Sequence, residues 1–309
     1  MKIQQNLTHT ILMIEPVAFG FNPQTSVNNY FQSSEDKNNA GVQQKALAEF
    51  NAMVQKLREN DVDVIVERDT LYPHTPDSIF PNNWISFHEK NRAVLYPMFA
   101  ENRRMERRID VLLSVENYLQ KKYKIIDYTP FENDGRFLEG TGSIILDRKN
   151  KKAYTSLSPR TDKALFLDYC AEMKLHPVMF EATQQVNGEQ FSIYHTNVMM
   201  CVADNYVVIC LDSIQNATER KTVVSEIEEN GKKIVEITAK QMNHFAGNML
   251  QIENRAGEKL LAMSQSAYES LTVEQKQYLE SQNKLLIFAI PTIEKNGGGS
   301  VRCMMAEVF

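Results

Sequence analysis

One arrangement recurs along this 309-residue chain, and it confines the fold more tightly than any single motif. A polar or glycine-bearing loop leads into an apolar run, and a short turn sends a second apolar run back. An amphipathic stretch follows, and a third apolar run closes the unit. The first complete copy has its loop at 75–87, a turn at 90–92, a run at 93–97, a helix ending near Lys121 and a run at 124–128. Further copies open at 137–142, 194–197 and 243–248. Short apolar runs between turn signals read as strands, and apolar residues three and four apart read as helix, so each copy is a β-β-α-β unit.

A fifth copy is split between the chain ends. Residues 297–308 open it, and the N-terminal region supplies a strand at 10–14, a helix at 41–59 and a strand at 62–66. In that helix Leu47, Phe50, Val54 and Leu57 stand at helical spacing. Repeats of roughly 50 to 60 residues indicate a stacked or radial array. A unit shared by the two ends means that the array closes on itself and leaves no open sheet edge. The expected fold class is α/β: a five-fold pseudosymmetric propeller of ββαβ units, closed by pairing of the N- and C-terminal segments, with 1–309 forming one domain.

In such a ring, equivalent positions face one axis. Asp77, Glu139, His195, Ala246 and Cys303 occupy corresponding loop-to-strand positions, so the four reactive side chains among them should converge on one mouth. Cys303 follows Gly297, Gly298 and Gly299 and precedes the apolar run Met304, Met305, Ala306, which reads as a buried strand. Glycines there allow close backbone approach and leave N–H groups unshielded. On that motif alone a core cysteine is an equal reading, because free cysteine behaves as a small hydrophobe.

The neighbours favour chemistry. A thiol becomes a nucleophile when a base takes its proton or a local field favours the thiolate. His195 can act as base and then as acid. Glu139 can orient the imidazole or hold a substrate N–H. Cysteine with histidine is also zinc chemistry, but no CxxC or HxxxH spacing occurs, so no metal site is expected.

Bulk properties narrow the partners. A net charge of −5 and a pI near 5.8 give no basic surplus for nucleic acid. No apolar run approaches a membrane span, and the first residues carry no hydrophobic signal segment. Four cysteines in a long chain suggest a reducing cytoplasm, with Cys170, Cys201 and Cys210 in the core. A small-molecule substrate is expected; the oligomeric state stays open, with a homodimer as the working expectation. The Asn- and Gln-rich stretch 22–39 is either a surface loop or a lid over the site.

The motifs Pro76-Asp77-Ser78-Ile79-Phe80, Asn102-Arg103-Arg104, Leu138-Glu139-Gly140, the stretch from Ser156 to Thr161, and Gly297 through Met304 resemble those of the guanidino-modifying (pentein) superfamily. That group holds arginine deiminases, dimethylarginine dimethylaminohydrolases and amidinotransferases. The most similar branch is that of bacterial arginine-deiminase-related citrulline hydrolases. The resemblance implies Cys303 as nucleophile, His195 as acid and base, and Glu139 as triad carboxylate. It implies Asp77 for the substrate α-amine, Arg103 and Arg160 for its α-carboxylate, and Phe80 in the pocket wall. It also implies that no metal or organic cofactor takes part.

The departures are informative. The dimethylarginine enzymes carry Glu-Asp where this chain has Asn82-Asn83, and arginine deiminases carry Asp where it has Asn197. A guanidinium only donates, whereas a ureido group has one carbonyl acceptor beside its N–H donors, and amide side chains serve both. The expected activity is hydrolysis of the ureido group of citrulline to ornithine, ammonia and carbon dioxide. The alternatives are an arginine deiminase, dihydrolase or amidinotransferase-like enzyme on a guanidino substrate, and a catalytically silent binding protein of the same fold.

Overall fold

The computed structural model describes residues 6–33 and 39–309. Five three-stranded sheets carry the architecture, all built alike. In each, the first two strands pair antiparallel, and a helical crossover places the third parallel to the second. Ile85–His88, Arg92–Leu95 and Lys124–Asp127 make one sheet; Ile145–Asp147, Lys152–Ser156 and His176–Phe180 the next. Met200–Val202, Tyr206–Ile209 and Lys233–Glu236 make a third, and Leu250–Glu253, Lys259–Ser264 and Lys284–Phe288 a fourth. The fifth joins the chain ends. Thr10–Glu15 lies antiparallel to Ala306–Val308 and parallel to Asp63–Arg68.

Position within a sheet explains the sequence of each strand. Thr10–Glu15 and Tyr206–Ile209 are middle strands, buried nearly throughout, and read as continuous apolar runs. The third strands His176–Phe180 and Lys284–Phe288 alternate between buried and partly exposed from their third residue on, because one face meets solvent. Asn39–Glu59 buries Ala46, Phe50, Met53, Val54 and Leu57 against the core that also holds Ile290 and Ile293. Burying each large side chain contributes roughly 1.5–3 kcal/mol.

The expectation of a sheet without edges is not met. The sheets are separate, and their first and third strands are edges. The short first strands instead lie side by side without ladder bonds: Ala306–Val308 against Ile85–His88, and Met200–Val202 against Ile145–Asp147 and Leu250–Glu253. The cause is local. A helical turn precedes the first strand in four units: Pro81–Asn83, Gly140–Ser143, Thr196–Val198 and Val301–Met304. Backbone groups held in these turns cannot extend a ladder.

The C-terminal segment is less extended than the apolar run from Met304 suggests. Pro291–Gly297 is a helix, Val301–Met304 a 3-10 turn, and only Ala306–Val308 is extended. A polar hairpin, Thr183–Val186 with Glu189–Ser192, carries no apolar alternation and is absent from the sequence reading. Cys170, Cys201, Cys210 and Cys303 are buried free thiols. Among the described residues, no helix is long and apolar enough to cross a membrane.

Candidate active site

The helical turns aim the chemistry. Glu139 is the residue capping the start of Gly140–Ser143, and His195 holds the same place before Thr196–Val198. Cys303 sits inside its turn and Asp77 lies ahead of Pro81–Asn83, so the four do not share one repeat phase residue for residue. Extra loop residues between Asp77 and its turn account for the offset. Nevertheless Asp77, Phe80, Asn83, Arg103, Arg160, His195 and Cys303 all line one narrow well, together with Asn29, Tyr194, Gly297 and Gly299.

His195 Nε2 lies 2.7 Å from Glu139 Oε2. Glu139 is fully buried, which opposes its charge. Arg160, the His195 hydrogen bond and Arg103 outweigh that burial and hold the carboxyl well below its ordinary range. An ionised carboxylate only accepts, so Nε2 carries the imidazole proton and Nδ1 offers a lone pair. Burial pushes His195 down to about 4, against the pull of Glu139, so the ring is neutral at physiological pH.

Gly142 leaves room for both the imidazole and an amide. A Cβ there would stand 2.4 Å from Asn83 Nδ2 and 2.8 Å from His195 Nδ1. Gly140 is held at φ +47°, and a Cβ would stand 2.3 Å from the Asn82 carbonyl oxygen. Asn82 is buried behind this turn, donating to Thr141 Oγ1 at 3.3 Å, and does not line the well.

Arg103 was expected to clamp a carboxylate. It is instead engaged by the protein. Nε and Nη2 donate to Glu106 at 2.9 Å each, Nη1 to Asn83 Oδ1 at 2.8 Å and Nη2 to the Phe80 carbonyl at 3.2 Å. This has a consequence for Asn83. A guanidinium cannot accept, so the Asn83 oxygen must face Arg103 and the NH2 must face away. That Nδ2 is buried and has no protein partner among the described residues.

Arg160 is likewise occupied. Nε donates to Asn28 Oδ1 at 2.9 Å and Nη2 to the Thr25 carbonyl at 2.9 Å, and the guanidinium packs 4.7 Å above the Tyr194 ring. Asp77 Oδ2 accepts from Asn22 Nδ2 at 2.8 Å and Thr25 Oγ1 at 3.0 Å, while its Oδ1 is buried with no partner among the described residues. Burial pushes the Asp77 carboxyl up, against Arg103 and these two hydrogen bonds. Residues 22–33 therefore cover the site and are fastened to two of its charged groups, Asp77 and Arg160. Asn29 and Gln32 tie the same segment to the Gly297 carbonyl. The rest of the lid expectation, 34–38, lies outside the described residues.

The Cys303 sulfur accepts from Asn197 Nδ2 at 3.4 Å and from Asn248 Nδ2 at 3.3 Å. Asn197 Oδ1 is buried with no partner among the described residues. Sequence reasoning missed Asn22, Thr25, Asn28, Glu106 and Asn248. The available signals were the amide-rich run at 22–39 and the position of Asn248 just ahead of a first strand, where Asn83 and Asn197 also stand.

The model of the family described as N,N dimethylarginine dimethylhydrolase, eukaryotic, matches residues 15–309. The chain belongs to this family. With it the chain falls in the pentein superfamily, on the branch related to arginine deiminases and dimethylarginine hydrolases. Solved structures share the fold. The N-terminal domain of ArgZ, a cyanobacterial arginine dihydrolase, superposes with a TM-score of 0.70 at 17% identity, over 97% of both chains. Unliganded AgrE gives 0.72 at 17% identity, over 97% of this chain and 39% of that one. A Pseudomonas aeruginosa dimethylarginine hydrolase variant complexed with citrulline gives 0.64 at 15% identity, over 98% and 100%. No match was found among curated proteins.

Proposed function

We propose that this hydrolase-family chain cleaves the ureido group of citrulline, giving ornithine, ammonia and carbon dioxide. The observation that carries the reading is the Asn83 amide. Arg103 fixes its oxygen, so a donor faces the site beside His195 Nδ1. A ureido oxygen accepts from such a donor, while a guanidinium offers it only further N–H groups. The unpartnered Asn197 oxygen supplies the matching acceptor for a ureido N–H.

The chemistry follows from these positions. The Cys303 thiol proton passes to His195 Nδ1, and the sulfur adds to the ureido carbon. The oxygen gains negative charge facing Asn83 Nδ2, where a fixed donor strengthens its hold as charge develops. The imidazolium, steadied by Glu139, returns its proton to the leaving nitrogen. Water deprotonated by His195 then opens the thiocarbamate-type adduct, and the carbamate released falls to amine and carbon dioxide. Asp77 takes the substrate α-amine, and Arg160 its α-carboxylate once Asn28 yields. Arg103 acts by orienting Asn83.

The pairing of the chain ends and the side-by-side inner strands support a five-bladed propeller around this well, with 1–309 as one domain. A cytoplasmic setting fits the four free thiols. The second reading, a guanidino hydrolase, is favoured by the free acceptors Asp77 Oδ1 and Asn197 Oδ1. Ammonia release from citrulline and from arginine separates the two. Faster turnover of arginine would overturn the proposal.

A further inference from the structure

We propose that Asn248 is a further catalytic residue, which together with Asn197 holds the Cys303 sulfur in its thiolate form. The inference rests on Cys303 as the nucleophile, but not on which substrate it attacks.

The sulfur needs such help. Burial disfavours the imidazolium that forms when His195 takes the thiol proton, so the thiolate left behind gains from further support. The cations nearby are committed elsewhere. Arg302, on the same turn, donates to the Met305 carbonyl at 2.9 Å and to Glu307 at 3.1 Å. Arg103 is held by Glu106 and Asn83, and Arg160 by the covering segment and Glu139. The hydrogen bonds to sulfur among the described residues come from two amides.

Asn248 is built to donate. It is buried, and its Oδ1 accepts the Arg302 backbone N–H at 3.0 Å. That backbone donor fixes the amide orientation, so Nδ2 must point toward Sγ, and it also reaches the Asn197 carbonyl at 3.0 Å. A protonated thiol meets a poorer arrangement. Its only acceptor on Asn248 is the same Oδ1, at 3.7 Å and already bonded to Arg302. A thiolate takes both N–H donors at 3.3 and 3.4 Å. The pair therefore favours the charged form, as hydrogen bonds to the ionised state do generally.

The test needs no substrate. The rate of Cys303 alkylation by iodoacetamide at neutral pH is followed by peptide mapping, beside the thiolate absorbance near 240 nm. Asn248→Ala is expected to slow alkylation by about tenfold, the worth of one charge-assisted bond. Asn248→Asp keeps the oxygen that receives the Arg302 N–H, and so keeps the turn, but sets a carboxylate oxygen against the sulfur. It should slow alkylation more than Ala does and reduce the absorbance further. Asn248→Ser, which retains a short donor, should fall between parent and Ala. If Asp and Ala variants that keep the parental melting midpoint are alkylated at the parental rate, the proposal fails. An Asp variant that reacts faster than Ala also overturns it, because the role is then only to hold the turn. If the Asp variant does not fold, the order parent, Ser, Ala decides alone. Turnover of arginine instead of citrulline would remove the substrate reading and leave this result standing.

Discussion

Asn83→Asp tests the substrate reading at one atom. The oxygen that Arg103 holds at 2.8 Å is kept, and only the NH2 facing His195 is replaced by oxygen. For citrulline this removes the donor that meets the developing oxyanion, a loss of about 10² to 10³ in kcat, or about 2.7–4 kcal/mol. For arginine the new oxygen accepts a charge-assisted bond from the guanidinium, worth about 1.5–3 kcal/mol. At about 1.4 kcal/mol per decade that is roughly a 10- to 150-fold gain. The ratio of kcat/KM for citrulline to that for arginine should fall by about 10³ to 10⁵. Both values come from ammonia release with parent and variant, alongside a melting curve to show that the variant is folded. Arg103 remains beside the new carboxylate, so the exchange is the gentlest available at this position. A ratio within tenfold of the parent's would refute the idea that this amide reads the ureido oxygen.

Four further outcomes follow from the same geometry. Gly142→Ala drives a methyl into Asn83 Nδ2 and His195 Nδ1, so kcat should fall at least about 10²-fold and urea denaturation should show a loss of about 1–3 kcal/mol. Glu106→Ala strands a buried guanidinium, and denaturation should show a loss of about 3–5 kcal/mol. Glu139→Gln withdraws the charge that steadies the imidazolium, and steady-state assays should show kcat lower by about 10²- to 10⁴-fold. The folded His195 takes its proton only near pH 4, whereas an unfolded histidine does so near 6.5. The unfolded chain therefore binds more protons across that window, and stability falls as pH drops through it, by up to about 3 kcal/mol. His195→Gln should flatten that part of a melting-midpoint profile.

How much of this was legible in the sequence depended on the range of the interaction that decides it. The strand, helix and strand order was readable because period and turn chemistry are local, and the pairing of Thr10–Glu15 with Ala306–Val308 followed from a unit missing one half. The helical turns before the first strands were not readable. Met304 and Met305 look like strand residues, and tertiary placement makes Met304 part of a turn instead. Cys303, His195 and Glu139 could be proposed together because few side chains do the chemistry expected of them. Which end each amide presents could not be read, since an asparagine shows a donor or an acceptor according to a partner far along the chain. Arg103 decides Asn83, and the Arg302 N–H decides Asn248. The same logic displaced Arg103 from the substrate to the scaffold. A bidentate carboxylate three residues away in Glu106 holds the guanidinium more firmly than a transient ligand would, and what remains of its fork is directed at Asn83. On the proposed reading, discrimination between a urea and a guanidinium would rest on a charge that need never touch the substrate.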